Sequence, residues 1–205
     1  MKRHRLFLLA ALALPGLAGA GTPETVVPAQ VVDVRPELLS LSAKAALERL
    51  GQTDGFLANP AVRIGLPKNF ARADGILRML GQGDKVDDLV RGMNRAAEQA
   101  IPLVAPRILA AAANLPPDAA LPGPGGEALL GQAMLAAIDN VAASSDLLGA
   151  YNRLAQKLKQ LAGLRGEFSS LRDYVSRKTL EGIYLSLAEE ERRLRAAPLP
   201  VASQP

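Results

Sequence analysis

The sequence DKVDDLVRGMNRAAEQAI, at residues 84–101, is that of an amphipathic helix with one buried face. Its apolar residues recur every three or four positions, which is the period of an α-helix. They are Val86, Leu89, Val90, Met93, Ala97, Ala100 and Ile101. Because such a stripe must be covered by other helices, the segment predicts one helix of a packed helical domain.

Helix signals continue on both sides of this segment. Ser42 is expected to cap the first helix, Gly51 to end it in the left-handed conformation, and Asp84 to cap the helix of residues 84–101. Pro102 either kinks that helix or begins another. The predicted helices span residues 42–50, 67–80, 84–113, 127–143, 146–161 and 170–197. We therefore expect an all-α fold, a single-domain bundle of about six helices.

The last predicted helix is apolar on two sides, which predicts that it is sandwiched between other helices. Its charged end, residues 189–195, favours i, i+4 ion pairs from Glu189 to Arg193 and from Glu191 to Arg195 on a solvated surface. One apolar face contains Leu171, Tyr174, Val175 and Leu185, and the other contains Leu180, Ile183, Tyr184, Leu187 and Leu194.

The first twenty residues have the pattern of a secretory signal peptide, with Lys2, Arg3 and Arg5 ahead of a short apolar run and Ala18-Gly19-Ala20 at its end. We predict cleavage after Ala20, a periplasmic or secreted product, and no transmembrane span after cleavage. The signal peptide holds three basic and no acidic residues, so its removal lowers the net charge from +4 to +1. The expected organisation is a signal peptide at 1–20, a flexible leader at 21–40, an all-helical domain at 41–197 and a disordered tail at 198–205.

Composition excludes several classes of function. The chain has no cysteine, and its one histidine, His4, lies before the predicted cleavage site. Zinc sites of the Cys/His type, histidine triads and cysteine nucleophiles are therefore excluded from the mature chain. A net charge of +1 with few aromatic residues argues against nucleic-acid binding. We expect no cofactor and no metal.

Seven polar or aromatic residues are candidates for binding a ligand or a partner. Each has a structural alternative, which is a hydrogen bond between helices, a turn, or a ring at the edge of the core. The candidates are Asn59, Arg63, Asn94, Arg95, Glu98, Tyr151 and Asn152.

Several motifs in a fixed order carry a family resemblance. They are LGQTDGFLANP at 50–60, LGQG at 80–83, MNRAAE at 93–98, AYN at 150–152, DYV at 173–175 and EEE at 189–191. Together they resemble a bacterial envelope family called domain of unknown function 4197, over roughly residues 40–110 and 127–196. The resemblance implies an exported, mostly helical protein without established catalytic residues. A Pro/Gly-rich segment at 114–126 stands where family members have a different stretch.

The expected function is that of a non-catalytic binding or scaffold protein of the cell envelope, with another envelope protein or an apolar ligand as its partner. The alternative is a hydrolase-like enzyme that needs neither histidine nor cysteine, for which Ser176 and Lys178 are the nearest pair of suitable residues. A pocket beside Asn94 or Tyr151 would favour binding, whereas a converging nucleophile and base would favour catalysis.

Overall fold

The computed structural model describes residues 35–114, 126–162 and 170–196, and these residues form six helices and no strand. They all lie in one compact unit. The helices are α1 (Arg35–Leu50), α2 (Lys68–Met79), α3 (Gly83–Ala113), α4 (Gly126–Ala143), α5 (Leu147–Ala162) and α6 (Leu171–Ala196). The predicted all-α fold is confirmed. The signal peptide at 1–20, residues 21–34 of the leader, the centre of the Pro/Gly-rich segment and the tail at 198–205 lie outside the described residues.

Helix α3 is the longest element, and its predicted apolar stripe is confirmed. Val86, Leu89, Met93, Ala97 and Ile101 are all buried in one continuous core. The helix runs without a break through Pro102 and Pro106, so no new helix begins at Pro102. Helices α1, α4 and α5 pack along α3.

Helix α6 lies between α1 and α4, as its two apolar faces predict. Val175, Ile183 and Leu187 are buried in these contacts. The assignment of Leu185 to a packed face was wrong, because 56% of this residue is exposed.

Helix α1 begins at Arg35, seven residues before the predicted start at Ser42. Residues 35–40 therefore belong to a helix and not to the leader. Pro36 misled the prediction, although proline is accepted in the first turn of a helix, where its missing N–H has no partner to lose. Ser42 does not cap the helix. It is fully buried within α1, and its Oγ donates a hydrogen bond to the carbonyl of Leu38 at 2.7 Å.

Two other helix ends also differ from prediction. Gly51 does not adopt the left-handed conformation; among the described residues, the positive φ angles are those of Asp54 and Gly81, both at 70°. Gly51 instead packs closely against α3, where a Cβ on this residue would lie 3.2 Å from Ile101 Cγ2. At α3 the residue before the helix is Gln82, so Asp84 lies in the first turn and is not the cap.

The end of α6 is less solvated than its charge pattern predicts. Glu191 pairs with Arg195 at 2.5 Å as expected, but Glu189 pairs with Arg49 of α1 at 3.3 Å. Glu190, only 2% exposed, accepts a hydrogen bond from Arg49 at 2.6 Å and forms an ion pair with Arg193 at 2.5 Å. This charged end of α6 is therefore bound to α1 through the ion pairs of Arg49. At the other end of α6, Ser170 caps the helix, since its Oγ accepts the amide of Asp173.

Among the residues that the structure describes, no helix is both long enough and apolar enough to cross a bilayer.

Candidate functional site

The polar residues of the α3 motif MNRAAE bind the loop between α1 and α2, residues 51–67. Asn94 is fully buried and bonds with both backbone groups of Ile64 in this loop. Its Oδ1 accepts the Ile64 amide at 2.8 Å, and its Nδ2 donates to the Ile64 carbonyl at 2.9 Å. The second proton of Nδ2 reaches the carbonyl of Val90 at 2.8 Å. The amide of Asn94 is therefore fully engaged within the protein.

Glu98 holds the same loop one helical turn further along α3. Its Oε1 accepts the backbone amides of Phe56 and Leu57, both at 3.1 Å. Its Oε2 pairs with Arg95 at 2.6 Å. The carboxylate is only 4% exposed, and it remains stable there because both oxygens have charged or N–H partners.

Arg95 joins this carboxylate to the start of the loop. Its Nη2 contacts Asp54 Oδ1 at 2.7 Å. Asp54 has a φ angle of 70°, in the left-handed region. This conformation costs energy for a residue other than glycine, and neighbouring contacts must compensate for it. The hydrogen bond that Arg95 donates to Glu98 raises the pKa of Arg95, and the one that it donates to Asp54 raises it further, so the guanidinium keeps its charge. We call Asn94, Arg95 and Glu98 the loop clamp.

The clamped loop places Phe56 in the core beside α6. Phe56 is fully buried, and a Cβ at Gly182 of α6 would come within 2.7 Å of its Cε1. Gly55 is equally constrained, because a Cβ there would lie 2.5 Å from the carbonyl oxygen of Arg49. A further hydrogen bond from Tyr174 of α6 to the carbonyl of Gly65 measures 2.9 Å. The loop is thus part of the core packing.

The other four candidates do not belong to the loop clamp. Asn59 is in the same loop, where its Oδ1 accepts the amide of Ala61 in a turn, and Arg63 is exposed nearby. Tyr151 is buried on α5, its ring 5.0 Å from that of Phe70, and burial raises the pKa of its hydroxyl. Asn152 is exposed on α5. The structure therefore gathers Asn94, Arg95 and Glu98 into one cluster and leaves Tyr151 and Asn152 elsewhere.

A cleft of about 640 Å³ lies between α3 and α5. The two helices run antiparallel, because Lys157 near the end of α5 reaches Gln82 at the start of α3, while Leu147 at the start of α5 lies against Gly92. The volume falls within the ~300–1,000 Å³ typical of small-molecule sites. The apolar lining of this α3–α5 cleft consists of Leu89, Ala96, Val141, Leu147, Ala150 and Leu154.

Charged and amide side chains surround this apolar floor. Four of the six charged lining residues are neutralised in ion pairs: Asp88 pairs with Arg91, Asp146 with Arg153, and Arg95 with Glu98. The remaining charged lining residues are Lys85 and Lys157, for which the described residues provide no carboxylate partner. A cleft with an apolar floor and polar groups around its edge can hold an apolar ligand in a defined orientation.

Sequence reasoning identified Arg95 among the cleft residues and missed the others. Lys85, Gly92 and Ala96 follow helical spacing on one side of α3, with small residues in the middle of the stripe. On α5 the corresponding small residue is Ala150. This pattern of small residues on two facing helices was the available signal, but it also occurs wherever helices pack closely.

The residues considered for catalysis do not meet. Ser176 is buried on α6, and the ammonium of Lys178 pairs with Glu181 at 2.5 Å. Within the described ranges, no group of three or more acidic, histidine or cysteine residues could hold a metal ion.

Comparison with known proteins gives a family match over most of the chain. A family model described as protein of unknown function (DUF4197) matches residues 28–120 and 126–204. No curated protein and no solved structure matches the chain.

Proposed function

The chain belongs to the DUF4197 family, whose description assigns no activity, and we propose that it is an exported, non-catalytic protein of the bacterial cell envelope that binds an apolar ligand in the α3–α5 cleft. The proposal rests on one observation, the cleft itself. Its floor is apolar, it is large enough for a small molecule, and it lies beside Arg95 and Ala150.

The physical basis of binding is the burial of apolar surface. Each CH₂ group transferred from water to such a floor contributes roughly 0.8 kcal/mol. Binding would need little rearrangement, because α3 is anchored in the core by Leu89 and Met93, and α5 by Leu154 and Leu158. Preorganised walls lower the cost of ordering on binding.

Export is supported by the sequence of residues 1–20 alone. A basic start, a short apolar run and a small-residue site before Gly21 are the features that the secretion machinery recognises. An envelope protein that holds an apolar molecule would meet its ligand in that compartment.

The binding proposal is tested with N-phenyl-1-naphthylamine, an uncharged dye whose fluorescence rises in apolar surroundings. Ala150→Phe places a large ring in the cleft, and Ala71→Phe places the same ring on an exposed face of α2 as the matched control. We expect saturable binding by the mature protein and the Ala71→Phe variant, and at least tenfold weaker binding by Ala150→Phe with unchanged circular dichroism. Equal affinity in all three proteins, or no saturable binding, would refute the proposal.

Export is tested separately by mass spectrometry of the protein from fractionated cells. The expected result is a mature N-terminus at Gly21 in the periplasmic or secreted fraction. A protein that retains Met1 would contradict this part of the proposal.

A further inference from the structure

Two lysines meet at one end of the α3–α5 cleft. The side-chain oxygen of Gln82, the residue before α3, accepts a hydrogen bond from Lys85 Nζ at 3.2 Å and from Lys157 Nζ at 2.8 Å. Because both ammonium groups contact the same atom, they lie no more than about 6 Å apart, the sum of these two distances. Like charges at such a distance repel each other, and a neutral amide does not cancel them.

The positive charge of this lysine pair is not compensated nearby. Asp84 is one residue from Lys85, yet no ion pair joins it to either lysine in the described part of the chain. By contrast, the other cations that line the cleft are neutralised: Arg95 by Glu98, and Arg153 by Asp146. Among the described lining residues, the unpaired positive charge of the cleft therefore lies at the Lys85 end.

We propose that the ligand is a single-chain amphiphile with an anionic head group, an inference that rests on the proposed binding function. The head group binds between Lys85 and Lys157, and the apolar chain extends along the floor past Gly92 towards Ala96. An anion at this point accepts charge-assisted hydrogen bonds from both ammonium groups and removes their mutual repulsion.

The extent of the cleft along α3 suits a linear chain. The lining residues of α3 run from Lys85 to Gln99, which spans about 20 Å at the helical rise of ~1.5 Å per residue. Gly92, in the middle of this path, has no side chain, and a Cβ there would lie 3.1 Å from Leu147 Cδ1, so the Leu147 side chain borders the path at this point.

The experiment compares dodecanoate with 1-dodecanol, which have the same chain length but differ in head-group charge. Each is titrated against the mature protein carrying bound N-phenyl-1-naphthylamine, and displacement of the dye is measured. We expect dodecanoate to compete about tenfold better than dodecanol, with an advantage that shrinks at high salt because screening weakens the ion pairs.

The double variant Lys85→Gln/Lys157→Gln tests the lysine pair. It should lower the affinity for dodecanoate to that for dodecanol and leave the affinity for dodecanol and the dye unchanged. The matched control Lys44→Gln/Lys68→Gln removes the same charge from exposed positions outside the cleft and should behave like the parent.

The possible failures are distinguishable. Equal competition by dodecanoate and dodecanol, or an unchanged preference in Lys85→Gln/Lys157→Gln, would overturn the head-group inference while dye binding in the cleft stands. If the dye does not bind, or if Ala150→Phe binds it as well as the parent, both the inference and the proposed function fail.

Discussion

The loop clamp and the α3–α5 cleft lie on the same helix but differ in how their polar groups are satisfied. In the clamp, Asn94 and Glu98 direct every polar atom of their side chains to groups of the protein itself. In the cleft, the ammonium groups of Lys85 and Lys157 have one hydrogen-bond acceptor among the described residues, the neutral side-chain oxygen of Gln82, beside an apolar floor. The polar groups of the clamp therefore have all their partners within the protein, whereas the charges of the two cleft lysines are not balanced.

This difference explains why polar residues on the apolar side of a helix are poor guides to a binding site. A buried Asn or Glu is tolerated only when neighbouring groups of the protein already form hydrogen bonds with it. The proposed ligand site is instead lined by lysines, a glycine and alanines on two facing helices, and none of these residue types stands out in the sequence. Variants in the two regions should consequently affect different properties, stability for the clamp and binding for the cleft.

The largest expected loss of stability is that of Glu98→Ala. The substitution leaves the amides of Phe56 and Leu57 without an acceptor and Arg95 without its buried partner, which should cost about 3 kcal/mol in the free energy of unfolding. Urea melts measure this loss. Glu181→Ala, which removes an exposed ion-paired carboxylate from α6, is the control and should cost less than about 0.5 kcal/mol. Equal costs for the two variants would refute the clamp.

Asn94→Ala should have the next largest effect. It leaves both backbone groups of Ile64 unpaired in a buried position, at a cost of about 2 kcal/mol. The control is Asn152→Ala on the exposed side of α5, which should remain within about 0.5 kcal/mol of the parent. If the midpoint of urea unfolding is the same for Asn94→Ala and the parent, contacts other than those of Asn94 hold the loop.

Gly182→Ala tests the packing of the clamped loop against α6. The new methyl group would press on the buried ring of Phe56, so overpacking outweighs the gain in helix propensity and leaves a net loss of about 1 kcal/mol. Gly75→Ala is the control of opposite sign, because nothing lies near its Cβ and alanine should stabilise α2 by about 0.5–1 kcal/mol. Thermal melts that shift in the same direction for both variants would contradict this packing.

The smallest effect on stability is expected in the cleft. Without ligand, the free energy of unfolding of Lys85→Gln/Lys157→Gln should lie within about 0.5 kcal/mol of the parent's, because the lysines repel each other and pair with no carboxylate in the described part of the chain. Urea melts of the ligand-free proteins provide the measurement. A loss of about 2 kcal/mol would mean that the lysines support the fold, and the contrast with the clamp would disappear.

The sequence was sufficient to predict most of the helices because their apolar periodicity is regular. The predicted spans of the helices after the first agree with the structure to within about one residue at each end. The start of α1 was missed because Pro36 and the β-branched residues before it imitate an extended segment, although a first helical turn accepts proline.

The candidate site was less predictable, because its contacts join residues far apart in the chain. No local pattern shows that Glu98 accepts the amides of Phe56 and Leu57, or that Gln82 lies between Lys85 and Lys157. The burial of Glu190 at the end of α6 was missed for the same reason, since its partner Arg49 belongs to α1. Charge patterns along a helix give only local pairs.

The most direct test of the contrast between the two regions is a two-dimensional ¹H–¹⁵N spectrum of the mature protein, recorded during titration with dodecanoate. Binding in the cleft predicts that the largest shift changes fall on cleft-facing amides of α3, from Lys85 to Gln99, and of α5, from Leu147 to Gln160. The loop at residues 51–67 should change little, because the clamp already occupies its polar groups. Largest changes in that loop with an unperturbed α5, or no saturable change anywhere, would contradict the account.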